Sequence, residues 1–329
     1  MTRLIFFCFF LRLLQADPSV VLVHIGSRLP FYLPAAVEQI RLFNSNCPIY
    51  IIANQEAIDK RPEELNAQRV TFVSCESIPK TEQHKKFWQD SVLDKGSQKG
   101  FWTFTTERFF YLASLMKDRN LEDVFHLEND VMLYADLTQL LPIFKANYPN
   151  KIAATFDNDQ RCIPGFLYIA NFLPMDHLTA YIAKASAQKG VNDMVFLASF
   201  KNRYQKKWID SLPILMPDYA KQNELVSPHG HQGANPEDYF HHADSFASIF
   251  DAAAIGQYLG GIDPQHGQNT VGFINESCVF NPSKFAYEWE LDEKNRKVPF
   301  AVYNGKKWRI NNLHVHSKNL VSFLSLEKE

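Results

Sequence analysis

The chain lacks any dense block of lysine or arginine. Its 34 basic and 36 acidic residues nearly cancel, for a formal net charge of −2 at pH 7. Nucleic-acid binding depends on clustered positive charge, so no nucleic-acid partner is expected. Internal repeats and low-complexity tracts are also missing, which excludes repeat architectures. The five cysteines are scattered without a C-x-x-C spacing, and they do not decide between a reducing and an oxidising compartment.

The first sixteen residues form a short hydrophobic segment. Arg3 precedes an apolar run well below the roughly 20 residues that span a bilayer, and Ala16 stands before Asp17. A basic start, a short apolar core and a small residue resemble a signal peptide, although Arg12 interrupts the run. A cleaved signal, a membrane-proximal anchor and a cytoplasmic N-terminal helix all stay open, and with them a secretory or a cytoplasmic location.

Residues 17–329 begin with alternating apolar strands and helices. The segments 19–26, 48–54 and 69–73 are typical of buried parallel strands, and a helix is predicted over 33–43. This alternation predicts an α/β fold with a mixed, mostly parallel sheet flanked by helices. At 46% hydrophobic composition, residues 17–329 are expected to form one large domain with a first half over 17–135 and a second over 136–329.

The segment 123–133 is a short apolar run interrupted by two carboxylates, Glu128 and Asp130. A run of this length predicts a strand buried on both faces. Its end would lie at the carboxyl edge of the sheet, where ligands bind in open α/β folds. Residues i and i+2 of an extended chain point the same way, so both carboxylates could address one polar ligand, such as a hard cation carrying phosphate oxygens.

A helix is predicted just before this strand, over 101–116, with Thr105 or Thr106 as its N-cap and Asn120 at its exit. Helix, tight exit, buried strand and acidic pair together resemble the GT-A glycosyltransferases, whose Rossmann-like fold carries a D-x-D motif. Here Glu takes the first place of that motif. The resemblance implies transfer of a sugar from a nucleotide-diphosphate donor, with a UDP-sugar as the first expectation, to a hydroxyl of a glycan, lipid or protein.

The resemblance also implies a divalent cation, Mn²⁺ or Mg²⁺, on the donor diphosphate. In these enzymes the last acid of the motif binds the metal, which makes Asp130 the expected ligand. The first acid lies near the ribose or a metal-bound water, so Glu128 is expected to contact the nucleotide sugar and only secondarily the metal.

The C-terminal segment 308–318 resembles a second metal motif of the same enzymes. In that motif a histidine completes the metal site and a nearby lysine meets the diphosphate. His316 is the expected metal ligand because Lys318 follows it closely, and His314 is the alternative. Imidazole suits Mn²⁺-type ions, and the lysine ammonium suits a phosphate oxygen.

Further contacts to the nucleotide sugar are implied by position. In GT-A folds the end of the first strand holds the nucleoside, which indicates His24, Gly26 and Arg28. Arg108 lies on the helix that leads into the acidic strand, where such enzymes contact the nucleotide. A turn at Gly26 and a solvated Arg108 are the structural alternatives.

Two aspartates are candidates for catalysis. Asn192 or Asp193 can cap a short helix, and Asp251 can cap an Ala-rich helix over 250–261. An acid at a helix N-terminus near the sugar could deprotonate the acceptor hydroxyl or stabilise positive charge on the sugar ring. Capping alone would explain either aspartate.

Two rival functions remain at this stage. His229, His231, His241, His242 and Asp244 lie close together in a Gly/Pro/Asn-rich loop and could serve a zinc hydrolase. A non-catalytic carbohydrate-binding protein with a GT-A-like fold is the other. Tightly bound zinc would favour the first, and sugar-nucleotide binding without turnover would favour the second.

Overall fold

The computed structural model of the protein describes residues 17–93, 100–263 and 271–326. The signal-like segment 1–16 lies outside this range. The helices are α1 Leu33–Phe43, α2 Gln55–Asp59, α3 Glu64–Ala67, α4 Glu82–Asp90, α5 Phe101–Asp118, α6 Leu137–Asn147, α7 Phe172–Ala185, α8 Asp193–Arg203, α9 Pro217–Gln222, α10 Ala243–Phe246 and α11 Ile255–Gly260. None of these helices is long and apolar enough to cross a membrane.

Thirteen strands are present within the described residues. They are β1 Ser19–His24, β2 Ile49–Ala53, β3 Val70–Ser74, β4 Val124–Leu127, β5 Val131–Leu133, β6 Ile152–Asn158, β7 Arg161–Ile169, β8 Ile209–Ser211, β9 Ser248–Ile249, β10 Ala286–Leu291, β11 Lys297–Tyr303, β12 Lys306–Ile310 and β13 Asn312–His314. A seven-stranded sheet has the order β3-β2-β1-β4-β7-β6-β8, and only β7 runs against the others. The predicted mixed, mostly parallel α/β sheet flanked by helices is confirmed.

Alternation along the strands explains why helices cover both faces of this sheet. Val21 and Val23 of β1 join the apolar cluster that includes α5, α7 and α8. Val20 and Leu22 join the cluster on the opposite face, with α1 and α6. Successive side chains of a strand point to opposite faces, so a strand that is apolar throughout can be buried on both.

Two smaller sheets complete the second half of the chain. One has the order β10-β11-β12-β9, and the other pairs β13 with β5. In the β13–β5 pair, His314 lies opposite Val131, the first residue after Asp130. This antiparallel pairing brings the C-terminal segment to the carboxyl edge of the main sheet.

Helix α5 begins earlier than the capping residues predicted. Thr105 and Thr106 lie inside the helix, where both hydroxyls donate to the carbonyl oxygen of Trp102, so neither is the N-cap. Asn120 does mark the exit, with a left-handed φ of 49°. Asn192 is the N-cap of α8 and accepts from the backbone N–H of Val195.

Candidate active site

The carboxylates of Glu128 and Asp130 and the imidazole of His314 meet at the carboxyl edge of β4. After Leu127 the chain turns, and the backbone N–H of Val131 donates to the Glu128 carbonyl. The Nε2 atom of His314 lies 3.4 Å from Oε2 of Glu128 and 3.2 Å from Oδ1 of Asp130. Each residue offers one ligand atom, and the three atoms lie within 4.8 Å of one another.

Burial and neighbouring charges shift the pKa values of these groups in opposite directions. Desolvation alone would raise the pKa of the Asp130 carboxyl, but His314 and Lys318 hold it well below its usual range. Desolvation would lower the pKa of His314, and the nearby Asp130 charge raises it instead. The acids therefore stay ionised although Asp130 is only 8% exposed. Ionised carboxylates and one imidazole are a donor set that fits Mn²⁺ or Mg²⁺.

Two cations neutralise the acidic pair. The Lys318 ammonium donates to Oδ2 of Asp130, although the two residues are 188 positions apart in the chain. The buried Arg108 guanidinium contacts Glu128 through one terminal nitrogen and donates to Oδ2 of Asp193 through the other, at 2.8 Å. One guanidinium thus joins the acidic cluster to the first residue of α8.

Asp193 keeps one carboxylate oxygen without a partner. Its side chain is 4% exposed, and Oδ1 has no hydrogen bond among the described residues. Asn192 is the N-cap of α8, and Asp193 is the first residue inside that helix. Desolvation raises the pKa of Asp193, and the adjacent Arg108 only partly offsets this effect. A buried, unpartnered carboxylate oxygen at a ligand edge is able to bind a hydroxyl or take a proton.

The two histidines of the C-terminal segment have different surroundings. His314, the alternative in the sequence analysis, lies in the three-residue cluster. His316, the expected ligand, lies outside it, and its Nδ1 accepts a hydrogen bond from the backbone N–H of Asp263 at 3.1 Å. The pairing of β13 with β5 decides which ring faces the acids, because the strand ends at His314 and the chain turns before His316.

Asp251 is close to the site but is fully engaged with the backbone. Oδ1 accepts from the N–H groups of Ala254 and Ile255, and Oδ2 accepts from those of Gly256 and His314. Only 1% of the residue is exposed. Both oxygens are thus engaged by backbone N–H groups, which favours the capping alternative over a role of Asp251 on substrate. The helix that follows, α11, begins only at Ile255 and is also shorter than predicted.

The end of β1 lies beside the acidic turn. The side chain of Asn129 donates to the carbonyl of Val23 at 3.2 Å, which links the turn to β1. His24 ends that strand; desolvation lowers its pKa, and a hydrogen bond with the Arg28 backbone opposes this. The backbone N–H of Gly26 donates to Asn54. His24, Gly26 and Arg28 therefore line the same edge, and their contact with a nucleotide stays a prediction.

The histidine-rich loop does not form a comparable cluster. His229 pairs with Glu276 at 2.7 Å, and both side chains are more than half exposed. His241 lies 3.8 Å from Asp210. Within residues 17–93, 100–263 and 271–326, the one group of three or more potential metal ligands contains no loop histidine. The arrangement gives the zinc-hydrolase hypothesis no support.

Two further residues lie at the site, and the first of them, Tyr32, was not identified from the sequence. The Tyr32 ring lies 5.7 Å beneath the Lys318 ammonium, and desolvation, together with the Asp130 and Glu128 charges, raises the pKa of its phenol. Gly165 of β7 packs against the His314 ring. An aromatic residue just before a helix and a glycine within a strand are weak signals in sequence, because both are common in packing roles.

Comparison with known proteins is limited to remote structural likeness. No protein-family model matches the sequence, and no curated protein matches it. Mouse xyloside xylosyltransferase 1 in its apo form is 10% identical, over 63% of this chain and 91% of that one, with a TM-score of 0.45. The galactosyltransferase LgtC with donor and acceptor sugar analogs is 14% identical, over 61% of this chain and 76% of that one, with a TM-score of 0.39. A cytidylyltransferase from Leptospira borgpetersenii is 11% identical, over 62% of this chain and 79% of that one, with a TM-score of 0.37.

Proposed function

We propose that the protein is a metal-dependent glycosyltransferase that moves a sugar from a nucleotide-diphosphate donor to a hydroxyl acceptor. The observation that carries the proposal is the cluster of Glu128, Asp130 and His314, with Lys318 against Asp130, at the carboxyl edge of the sheet. Ligands bind at this edge in open α/β folds, and oxygen-rich sites with an adjacent lysine suit a cation and phosphate together.

Asp130 and His314 would hold Mn²⁺ or Mg²⁺, with Glu128 beside them. When bound, the cation supplies Lewis-acid stabilisation of the departing diphosphate. Lys318 places a further positive charge at the same position, over the face of the Tyr32 ring. Arg108 is buried between two carboxylates, so its charge is fixed at the site without reorganisation.

Asp193 is the candidate for the acceptor side of the reaction. The acceptor oxygen forms a bond to the anomeric carbon while the bond from that carbon to the diphosphate oxygen breaks. The proton of the acceptor hydroxyl has to be taken up, and the unpartnered Oδ1 of Asp193 can accept it. The same oxygen could instead stabilise positive charge on the sugar ring. His24, Gly26 and Arg28 would contact the nucleoside.

A thermal-shift screen of sugar nucleotides with and without Mn²⁺ tests the proposal. A ligand that binds only the folded state raises its stability, so a donor is expected to raise the midpoint in the presence of Mn²⁺. UDP-sugars are the first probes, followed by a UDP-release assay with mono- and disaccharide acceptors. Binding without release toward any acceptor would favour a non-catalytic carbohydrate-binding protein.

Asp130→Asn is the decisive variant, because the amide keeps the size of the side chain but loses the charge. It is expected to abolish Mn²⁺-dependent nucleotide binding and turnover while the protein stays folded. Glu128→Gln should cost less. Asp218→Asn, which removes an acid from an exposed ion pair with Lys306, is the matched control. Turnover within a few-fold of wild type in Asp130→Asn would disprove the metal site.

A further inference from the structure

We infer that Gly165, Asp251 and Gly256 are positioning residues that orient His314 toward the acidic pair. They belong to three separate segments of the chain: β7, the loop before α11, and α11 itself. The inference rests on the metal site of the proposed function and adds how that site is preorganised. None of the three residues would touch the metal.

Gly165 sets the position of the imidazole ring. A Cβ atom at Gly165 would lie 2.9 Å from Nδ1 of His314 and 3.4 Å from Cγ2 of Val131. Cβ atoms do not approach other heavy atoms closer than 3.0 Å, so any side chain here would displace the ring. Gly165 is itself anchored, since its carbonyl accepts from the backbone N–H of Glu128 at 3.0 Å.

The Nδ1 atom of His314 has no hydrogen bond among the described residues that could orient the ring, so packing has to orient it. A metal-binding histidine usually donates its second ring N–H to a carboxylate or carbonyl, which fixes the ring. In His314, Nδ1 is buried and has no hydrogen-bond partner within the described residues. The ring orientation therefore depends on packing contacts, and Gly165 packs on the Nδ1 side of the ring.

Asp251 and Gly256 fix the backbone of the same residue. Oδ2 of Asp251 accepts from the His314 N–H at 3.0 Å and from the Gly256 N–H at 2.8 Å. A Cβ atom at Gly256 would lie 2.2 Å from the His314 carbonyl oxygen, so only glycine allows α11 to approach this closely. The carboxylate thus ties the first turn of α11 to the strand that presents the imidazole.

A double-mutant cycle tests the ring contact. Gly165→Ala is expected to weaken the binding of Mn²⁺ alone by roughly ten- to a hundredfold, as loss of an orienting contact does at other metal sites. In a His314→Ala background the clash is absent, so Gly165→Ala should have no further effect on Mn²⁺ affinity. Titration calorimetry measures affinity, and a thermal melt of each variant reports folding.

Gly233→Ala is the control for a general steric effect. A Cβ atom there would lie 2.8 Å from the Tyr239 ring, a similar clash away from the acidic cluster. It is expected to lower the melting midpoint but to leave Mn²⁺ affinity unchanged. An equal loss of affinity in Gly233→Ala, or an equal effect of Gly165→Ala with and without His314, would overturn the inference.

Asp251→Asn provides a second route should Gly165→Ala fold poorly. Asparagine has one acceptor oxygen, so it can hold only one of the two pairs of backbone N–H groups. Its Mn²⁺ affinity should fall although every proposed ligand remains, and unchanged affinity would count against Asp251 as a positioning residue. If the wild type itself binds neither Mn²⁺ nor any nucleotide, the proposed function fails instead.

Discussion

Replacing Arg108 should destabilise the protein more than replacing any surface arginine. The Arg108 side chain is 8% exposed and contacts the carboxylates of Glu128 and Asp193, which are 19% and 4% exposed. Arg108→Ala removes the shared partner, which leaves the buried Asp193 without this countercharge and Glu128 with His314 beside it. Breaking a buried ion pair from one side costs about 3–5 kcal/mol of unfolding free energy. Its Nε has no partner among the described residues, so no third hydrogen bond is lost.

The loss of unfolding free energy in Arg108→Ala should increase with pH. Desolvation raises the pKa of both carboxyls, and Arg108 opposes it in each case. Without Arg108, the folded-state pKa of Asp193, which is already raised, should move further above that of the unfolded chain, and the pKa of Glu128 should rise as well. An acid of this kind favours the folded state at low pH and loses that contribution as pH rises through its folded pKa. The destabilisation in Arg108→Ala should therefore be largest near about pH 8 and smaller near about pH 5.

Urea unfolding of wild type and Arg108→Ala at the two pH values measures the loss of unfolding free energy and its change with pH. Arg119→Ala is the matched control, because that arginine immediately follows α5 and pairs with Asp118 at the surface, where it is 51% exposed. The control should change stability by less than about 0.5 kcal/mol. A loss of unfolding free energy below about 1 kcal/mol for Arg108→Ala, or an equal loss at both pH values, would contradict this prediction.

Three further predictions follow from the same geometry. His314→Ala should weaken Mn²⁺ and diphosphate binding together while His316→Ala should not, and the reverse result in calorimetric titrations would exchange their roles. Lys318→Ala should weaken UDP binding about ten- to hundredfold and leave uridine affinity unchanged, because its ammonium reaches the Asp130 edge and would contact only phosphate. Desolvation raises the pKa of the buried Asp157 to about 7, so Asp157→Asn should gain stability over wild type by about 1–4 kcal/mol as pH rises from about 4 to 7. A stability difference that does not vary with pH in urea unfolding would contradict the last prediction.

The secondary structure of the N-terminal half followed from local pattern. The helix predicted over 33–43 is present as Leu33–Phe43, and the three strands predicted before residue 75 are all present within two residues of their expected ends. Here each apolar run is long enough to define its period, and turn residues separate the runs. The predicted N-cap of α5 was wrong, because Thr105 and Thr106 bond to the carbonyl of Trp102 inside the helix instead of capping it.

The fold class and the position of Glu128 and Asp130 at a strand end could be predicted from the amino-acid sequence, because both depend on neighbours in the chain. The tertiary structure was needed to show that His314, and not His316, lies beside the acids, through the register of β13 on β5. The tertiary structure likewise distinguishes the two aspartates. Asp193 binds Arg108 and keeps one carboxylate oxygen without a partner among the described residues, whereas both oxygens of Asp251 accept hydrogen bonds from backbone N–H groups. Strand register and ion pairing join residues far apart in the chain, and no local period encodes them.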